Sequence, residues 1–175
     1  MHSDERFENF FDEQARRMAQ KIHCTIDDAK ERLERIVYRG LEKFFKNIPP
    51  RPFVVETFEA FHNAGLRLAL LSDFPPEQKG ELWSLPKFCD VMIGTESLGA
   101  LKPSAYPFFV LAERLNIAPN EILFVGNSLK YDVAGAKKTL MKTALVAPKW
   151  KVPFLKNKAD IVFSNYRTLQ KIVLQ

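Results

Sequence analysis

Three stretches of this 175-residue chain decide its fold: LALLSDF at residues 68–74, ESLGALKPSAYPFF at 96–109 and ILFVGNSLKYDVAGA at 122–136. In the first and third stretches, an apolar run that suits a buried parallel strand ends in polar residues. In the second, a lysine follows a glycine turn and precedes a proline. Ligands of open α/β sheets bind beyond the carboxyl ends of the strands. We therefore expect the polar residues of all three stretches to meet at one edge of a sheet.

The chain from residue 51 to residue 175 alternates between strand-like and helix-like patterns. Strands are predicted at residues 66–71, 91–94, 122–125, 142–146 and 161–163. Helices are predicted at residues 54–61, 77–82, 104–115 and 131–140 and after residue 163, with Ser104 as the N-cap of the third. This alternation predicts an α/β fold of the Rossmann-like type, in which helices cover both faces of a parallel sheet and make three layers.

Residues 7–47 instead show two amphipathic helical patterns, which predict an antiparallel helical pair. Thr25 is the expected N-cap of the second helix, because Asp28 follows three residues later and can complement that helix end. The prolines at 49 and 50 cannot continue a helix. We therefore divide the chain into a small helical unit at residues 1–50 and an α/β unit at residues 51–175.

The composition excludes several classes of protein. No apolar run approaches the ~20 residues of a membrane span, and the charged first residues, MHSDERFENF, do not resemble a secretory signal. Cys24 and Cys89 lie far apart, without the spacing of metal ligands, and are interpreted as reduced thiols. These features predict a cytoplasmic protein with no membrane partner.

The net charge of +5 is unevenly distributed along the chain. Residues 137–171 carry +8, and the remainder of the chain carries −3. Such a segment can attract a phosphorylated ligand or an anionic surface; the simpler interpretation is a solvated lysine-rich face. Because no nucleic-acid motif accompanies these lysines, we expect no nucleic-acid partner.

From about residue 52 onward, the chain resembles the core of the haloacid dehalogenase-like (HAD) hydrolase superfamily, whose members are mostly phosphatases. Three motifs carry the resemblance: Ser72 at a strand end, Lys102 within GALKP, and Gly126-Asn127-Ser128 followed by Asp132. In that family, the serine hydroxyl and the lysine ammonium hold a phosphoryl group. The resemblance therefore implies Ser72 and Lys102 as catalytic residues and a small phosphorylated substrate.

The same resemblance implies that Asn127 and Asp132 hold Mg²⁺. Asn127 stands where the family has an aspartate, so the site would lose one negative charge. Mg²⁺ prefers charged oxygen ligands, so we expect its binding to be weak or absent in this chain.

The family's nucleophile has no counterpart that we recognise in the sequence. In the family, an aspartate at the end of the first strand attacks phosphorus, and a second aspartate two residues later acts as acid and base. That strand would lie between residues 66–71 and 122–125. Without it, those two strands must pair with each other, or another segment must fill the gap, since unpaired backbone groups are costly to bury. Asp73 receives no role from the sequence.

Three interpretations remain open. Met1 can be an internal methionine of a longer, ordinary Mg²⁺-dependent phosphatase that forms an aspartyl-phosphate. Alternatively, the chain is a pseudoenzyme that serves as a binding or interaction module. In the third interpretation it is one half of a split enzyme, in which self-association or a partner's strand fills the gap. In each case we expect the chain by itself to be inactive.

Overall fold

The computed structural model describes residues 5–45, 47–76 and 83–175. The strands of this part are β1 Ala69–Ser72, β2 Val91–Gly94, β3 Leu123–Gly126, β4 Lys142–Val146 and β5 Ile161–Phe163. Its α-helices are α1 Phe10–Ile22, α2 Ile26–Arg32, α3 Arg39–Phe45, α4 Val54–Asn63, α5 Tyr106–Leu115, α6 Ala134–Lys138, α7 Val152–Leu155 and α8 Tyr166–Val173. Helices alternate with parallel strands after residue 54, so the predicted α/β fold is confirmed.

The strands form two parallel sheets. β1 pairs with β2, from Ala69 opposite Val91 to Ser72 opposite Gly94. β4 lies between β3 and β5 in the second sheet. Within the described residues, β1 and β3 do not pair with each other, and both line the space between the two sheets. The structure therefore does not adopt the direct pairing of β1 with β3, which was one of the two expected ways to close the gap.

Hydrophobic packing holds the two sheets side by side. On one face, Leu71 of β1 and Phe124 of β3 pack against the same two clusters, one of which contains the fully buried Phe108 of α5. On the other face, Phe61 of α4 and Leu169 of α8 join the main cluster with residues of β4 and β5. Because α5 contacts both sheets, it fixes the distance between them without a shared hydrogen-bond ladder.

The first strand begins at Ala69, three residues later than predicted. The Leu68 amide donates to Asp90 Oδ2 at 2.8 Å, and Arg67 Nε donates to Asp90 Oδ1 at 2.7 Å. The carboxylate of one loop residue therefore binds the segment that the apolar pattern assigned to the strand.

Two helices also differ from their predicted bounds. α5 begins at Tyr106, with Ala105 and not Ser104 at the N-cap position. The Ser104 amide donates to the Leu101 carbonyl at 3.0 Å and closes a turn, which delays the helix. The helix predicted at 131–140 begins as a π-helical turn at residues 129–133 and is α-helical only over α6. The helix predicted near 77–82 lies outside the described residues.

The helical pair predicted at residues 7–47 is present. Thr25 is the N-cap of α2, as predicted, and its hydroxyl oxygen accepts a hydrogen bond from the Asp28 amide at 3.1 Å. A π-helical turn, Leu33–Tyr38, continues α2 into α3. Ala15 and Ala29 are fully buried between the two arms, so the helices approach closely there.

In the described part of the chain, no helix has both the length and the hydrophobicity required to cross a bilayer.

The lysines of the basic segment at residues 137–171 lie on the surface, although β4 and β5 of the same segment contribute to the core. All eight lysines are exposed, as a solvated face requires. Trp150 and Phe154 are also exposed, at 69% and 79% of their surface, beside Lys149 and Lys151. The side chains of Trp150 and Phe154 are therefore not part of the core.

The helical pair contacts the α/β unit at the short 3₁₀ turn Thr95–Leu98 and at Gly99. The Tyr38 hydroxyl donates to Glu96 Oε2 at 2.8 Å. The Phe7 amide donates to the Gly99 carbonyl at 2.9 Å. Gly99 has φ +73°, and a Cβ placed there would lie 2.0 Å from the Phe7 carbonyl oxygen. Glycine is therefore required at residue 99 both by its left-handed backbone and by the close approach of this second segment.

We expect Glu96 to make the stability of the chain depend on pH. Burial, and secondarily the charge of Asp73, raise the pKa of Glu96, whereas the hydrogen bond from Tyr38 opposes this shift. A raised folded-state pKa means that the favourable contribution is present at low pH and is lost as the pH rises through that pKa. Glu96→Gln keeps an acceptor for Tyr38 but cannot ionise. The unfolding free energy of the wild type should therefore fall relative to this variant as the pH rises from about 4 through the raised pKa of Glu96.

Urea denaturation of both proteins across this range measures that difference. A difference that stays constant, or that changes in favour of the wild type as the pH rises, would contradict the assignment.

Candidate active site

A cavity of about 360 Å³ opens between the two sheets. Leu71 of β1 and Phe124 of β3 form part of its walls, and its polar lining includes the four residues that the sequence singled out: Ser72, Lys102, Asn127 and Asp132. We call this space the β1–β3 cleft. The structure thus brings together residues that are up to 60 positions apart in the chain, at the carboxyl ends of β1 and β3.

An ion pair crosses the cleft. Lys102 Nζ lies 2.7 Å from Asp132 Oδ1, and only 13% and 7% of the two side chains are exposed. The other carboxylate oxygen of Asp132 accepts hydrogen bonds from the Asn127 amide at 3.0 Å and the Ser128 amide at 2.9 Å. A buried charge is tolerated when it is paired and hydrogen-bonded in this way.

Gly126, the last residue of β3, makes this arrangement possible. A Cβ at residue 126 would lie 2.3 Å from the Cβ of Asp132 and 2.6 Å from its Oδ2. Any side chain there would displace the carboxylate from the two amides that it accepts from. Gly126 therefore allows the Asp132 side chain to pack directly against the end of β3.

Ser72 ends β1 at the same level as Gly94 of β2. Its hydroxyl oxygen accepts a hydrogen bond from the Phe74 amide at 3.2 Å. A serine hydroxyl can accept and donate at once. The same hydroxyl can therefore also act as a hydrogen-bond donor.

Asp73 is a site residue to which the sequence reasoning assigned no role. Its Oδ1 accepts from the Thr95 hydroxyl at 2.7 Å and from the Lys102 amide at 3.1 Å. Thr95 is fully buried. The signal that could have found Asp73 is its position: it follows Ser72 at the end of β1, and Thr95 follows β2 at the same edge of the fold.

Asp132 and Asn127 are the residues that the sequence predicts as Mg²⁺ ligands. Both carboxylate oxygens of Asp132 already bind protein donors, and the side chain of Asn127 offers one neutral oxygen. No group of three acidic, histidine or cysteine side chains suited to a metal occurs in residues 5–45, 47–76 and 83–175. The metal-binding roles of Asn127 and Asp132 therefore stay a prediction, and no chemical step is assigned to a metal here.

These features define a class: an α/β protein with a hydroxyl, an ammonium and a carboxylate at the strand ends of one cleft. A family profile of haloacid dehalogenase-like hydrolases matches residues 2–138. The chain belongs to the haloacid dehalogenase-like hydrolase family, and the resemblance seen in its sequence is confirmed.

Individual relatives agree with this assignment. The chain is 29% identical over 119 residues to a phosphoglycolate phosphatase of Salmonella typhi, an alignment that covers 63% of this chain and 47% of that protein. It thus spans about half the length of the curated relatives it matches.

Solved structures show the same fold. A HAD phosphatase from Thermococcus onnurineus has 25% sequence identity and a TM-score of 0.69, with 94% of this chain and 88% of that chain covered. A predicted phosphoglycolate phosphatase from Haemophilus somnus 129pt has 23% identity and a TM-score of 0.72, with 91% and 73% covered.

We expect removal of one partner of the cleft ion pair to destabilise the fold. Asp132→Ala leaves the Lys102 ammonium buried without this carboxylate, which should lower the unfolding free energy by about 3 kcal/mol. Replacing both partners, with Lys102→Met and Asp132→Leu, should bring stability back toward the wild type because no buried charge is then left unpaired.

Chemical denaturation monitored by circular dichroism measures these changes. The matched control is Arg67→Ala, which breaks the exposed pair with Asp90 and should change stability by only about 0–1 kcal/mol. Equal effects of Asp132→Ala and Arg67→Ala would show that the cleft pair is not effectively buried.

Proposed function

We propose that the β1–β3 cleft is the phosphoryl-binding site of a HAD-like phosphohydrolase that acts on a small phosphate monoester. One observation carries the proposal: Ser72, Lys102 and Asp132 line a single cleft at the carboxyl ends of β1 and β3. Residues 51–175 then act as the core, and residues 1–50 act as a small helical cap that shapes access to it. The family assignment supports the reaction class and leaves the substrate open.

Each residue has a distinct role in this proposal. The Ser72 hydroxyl donates a hydrogen bond to a phosphoryl oxygen. The Lys102 ammonium offsets the charge of the phosphoryl group, since stabilisation of developing negative charge is the main requirement of phosphoryl transfer. Asp132 holds that ammonium within the cleft through the 2.7 Å ion pair.

In this proposal, the nucleophile comes from outside the described residues. Within the described residues, the carboxylates that line the cleft are Asp73 and Asp132, and each accepts hydrogen bonds from protein groups. We propose that a further strand enters between β1 and β3 and brings the aspartate pair. The backbone of this strand would pair with the N–H and C=O groups on the facing edges of β1 and β3. Each such group that is buried without a partner costs ~1–3 kcal/mol.

The reaction then follows the course that the family resemblance implies. An oxygen of the first aspartate bonds to phosphorus while the bond from phosphorus to the ester oxygen breaks. The second aspartate gives a proton to the departing oxygen, which leaves as an alcohol. Water, losing its proton to the same residue, attacks the aspartyl-phosphate, releases inorganic phosphate and restores the nucleophile.

A second candidate function is that of a binding module without turnover. Two observations favour it: Asn127 stands in place of an acid, and the Asp132 carboxylate already accepts three hydrogen bonds from protein groups. In that case the cleft holds a phosphorylated ligand or a partner's strand but performs no chemistry.

We predict that the chain binds inorganic phosphate through Ser72 and Lys102. Lys102→Gln keeps a donor for Asp132 but removes the charge, and should weaken phosphate binding about tenfold or more, because a hydrogen bond to a charged group contributes ~1.5–3 kcal/mol. Ser72→Ala should also weaken binding. Calorimetric titration measures the affinities, with Lys142→Ala, an exposed lysine at the start of β4, as the control. Equal losses in Lys102→Gln and Lys142→Ala would indicate non-specific charge attraction.

We also predict that catalysis requires the added strand. The chain alone, with Mg²⁺, should not hydrolyse a generic phosphate ester. A synthetic peptide with an apolar run followed by Asp-x-Asp should restore saturable hydrolysis, and the same peptide with asparagine at its first aspartate should not.

The outcomes separate the two candidate functions. Turnover with the intact peptide supports the phosphohydrolase, whereas phosphate binding that never leads to turnover supports the binding module. Turnover by the chain alone that is lost in Lys102→Gln would reveal a nucleophile within the chain.

A further inference from the structure

Asp73 joins three segments of the site through one carboxylate oxygen. It follows Ser72 directly at the end of β1. Its Oδ1 accepts from the Thr95 hydroxyl at 2.7 Å, beyond the end of β2, and from the Lys102 amide at 3.1 Å. We propose that Asp73 is a positioning residue, which sets the place of the Lys102 ammonium relative to the Ser72 hydroxyl. The proposal rests on the proposed function of the cleft.

The geometry explains why such a residue is needed. Ser72 belongs to a strand, whereas Lys102 belongs to the loop between the 3₁₀ turn at residues 95–98 and α5. Two groups that must hold the same phosphoryl dianion thus come from separate elements. One covalent link, from Ser72 to Asp73, and one hydrogen bond, from the Lys102 amide to Asp73, connect them.

Thr95 holds the Asp73 carboxylate in the required orientation. Its side chain is fully buried, and its hydroxyl donates the shorter of the two hydrogen bonds. The backbone of the same turn also supports the loop that carries Lys102, since the Ala100 amide donates to the Thr95 carbonyl at 3.4 Å and the Gly99 amide donates to the Glu96 carbonyl at 2.9 Å. Thr95 therefore holds the Asp73 carboxylate in place while this carboxylate binds the Lys102 amide.

The role requires an acceptor oxygen and does not require a negative charge. A carboxylate near a bound dianion repels it, so the charge of Asp73 does not assist phosphate binding. An asparagine can place its carbonyl oxygen where Oδ1 lies and accept from both donors. Asp73→Asn should therefore preserve the positioning, whereas Asp73→Ala should abolish it.

The experiment is a double-mutant cycle on phosphate affinity. Asp73→Ala should weaken phosphate binding by about tenfold in the otherwise wild-type chain, because a small misplacement of a binding group is costly. Asp73→Asn should bind within about threefold of the wild type. In a Lys102→Gln background, Asp73→Ala should cause no further loss, because its effect passes through the Lys102 ammonium. An equal loss in both backgrounds would overturn the proposal.

A second measurement does not depend on phosphate binding. Asp73→Ala should speed the hydrogen exchange of the Lys102 amide and increase the labelling of its ammonium by an amine-reactive reagent. Lys142 should label at an unchanged rate, and Asp73→Asn should resemble the wild type. Thr95→Val, which removes only one donor, provides a milder variant if Asp73→Ala does not fold. Unchanged exchange and labelling in both variants would refute the positioning role.

The two measurements separate the possible failures. If the wild-type chain binds no phosphate but Asp73→Ala still releases Lys102, the proposed function of the cleft fails and the positioning of Lys102 by Asp73 stands. If phosphate binds through Lys102 and the Asp73 variants change neither readout, the function stands and the positioning role fails.

Discussion

The ion pair between Lys102 and Asp132 is the constraint on which the site depends, because it joins two sheets that share no backbone ladder in the part of the chain that the structure describes. Lys102 follows the sheet of β1 and β2, and Asp132 follows β3 in the other sheet. Their 2.7 Å contact spans the cleft between these sheets. The pair is stable there because two amides complete the hydrogen bonds of the carboxylate and Gly126 leaves room for it. The charge pair therefore adds a polar link across the cleft to the apolar contacts that both sheets make with α5.

Helix α5 supplies the matching constraint on the apolar side. Leu71 and Phe124 approach it from β1 and β3, and Phe108 fills the space beneath them. Gly135 of α6 lets this ring approach closely, since a Cβ there would lie 2.4 Å from Phe108. The cleft is thus open at the polar ends of β1 and β3 and is closed on the side of α5 by apolar side chains. A strand or a ligand that enters the cleft therefore lies between two strands whose separation is already set.

The sequence predicted the parts of this structure that depend on local pattern. The strands at 91–94, 142–146 and 161–163 lie where apolar runs placed them, because buried parallel strands are made of continuous apolar residues. It also placed Ser72, Lys102, Asn127 and Asp132 at one edge, since parallel strands share a direction. The errors in the bounds of elements arose where another contact uses a backbone amide that the pattern assigned to a strand or a helix. The Asp90 carboxylate accepts from the Leu68 amide ahead of β1, and a backbone turn at Ser104 delays α5. Asp73 was missed for a different reason, because its partners come from two distant loops that no local pattern connects.

Gly99 has a consequence for the modular use of this fold. The absence of a side chain there lets the extended segment at Phe7 lie directly on the loop that leads to Lys102. This contact between the helical unit and the α/β unit is a backbone contact, so it does not depend on the side chain of residue 7, whereas the contact from Tyr38 to Glu96 does depend on a side chain of the helical unit. A design that attaches a different helical unit to this α/β unit should therefore keep Gly99 and the backbone contact with residue 7. The helices that follow this contact can then be exchanged to recognise other ligands.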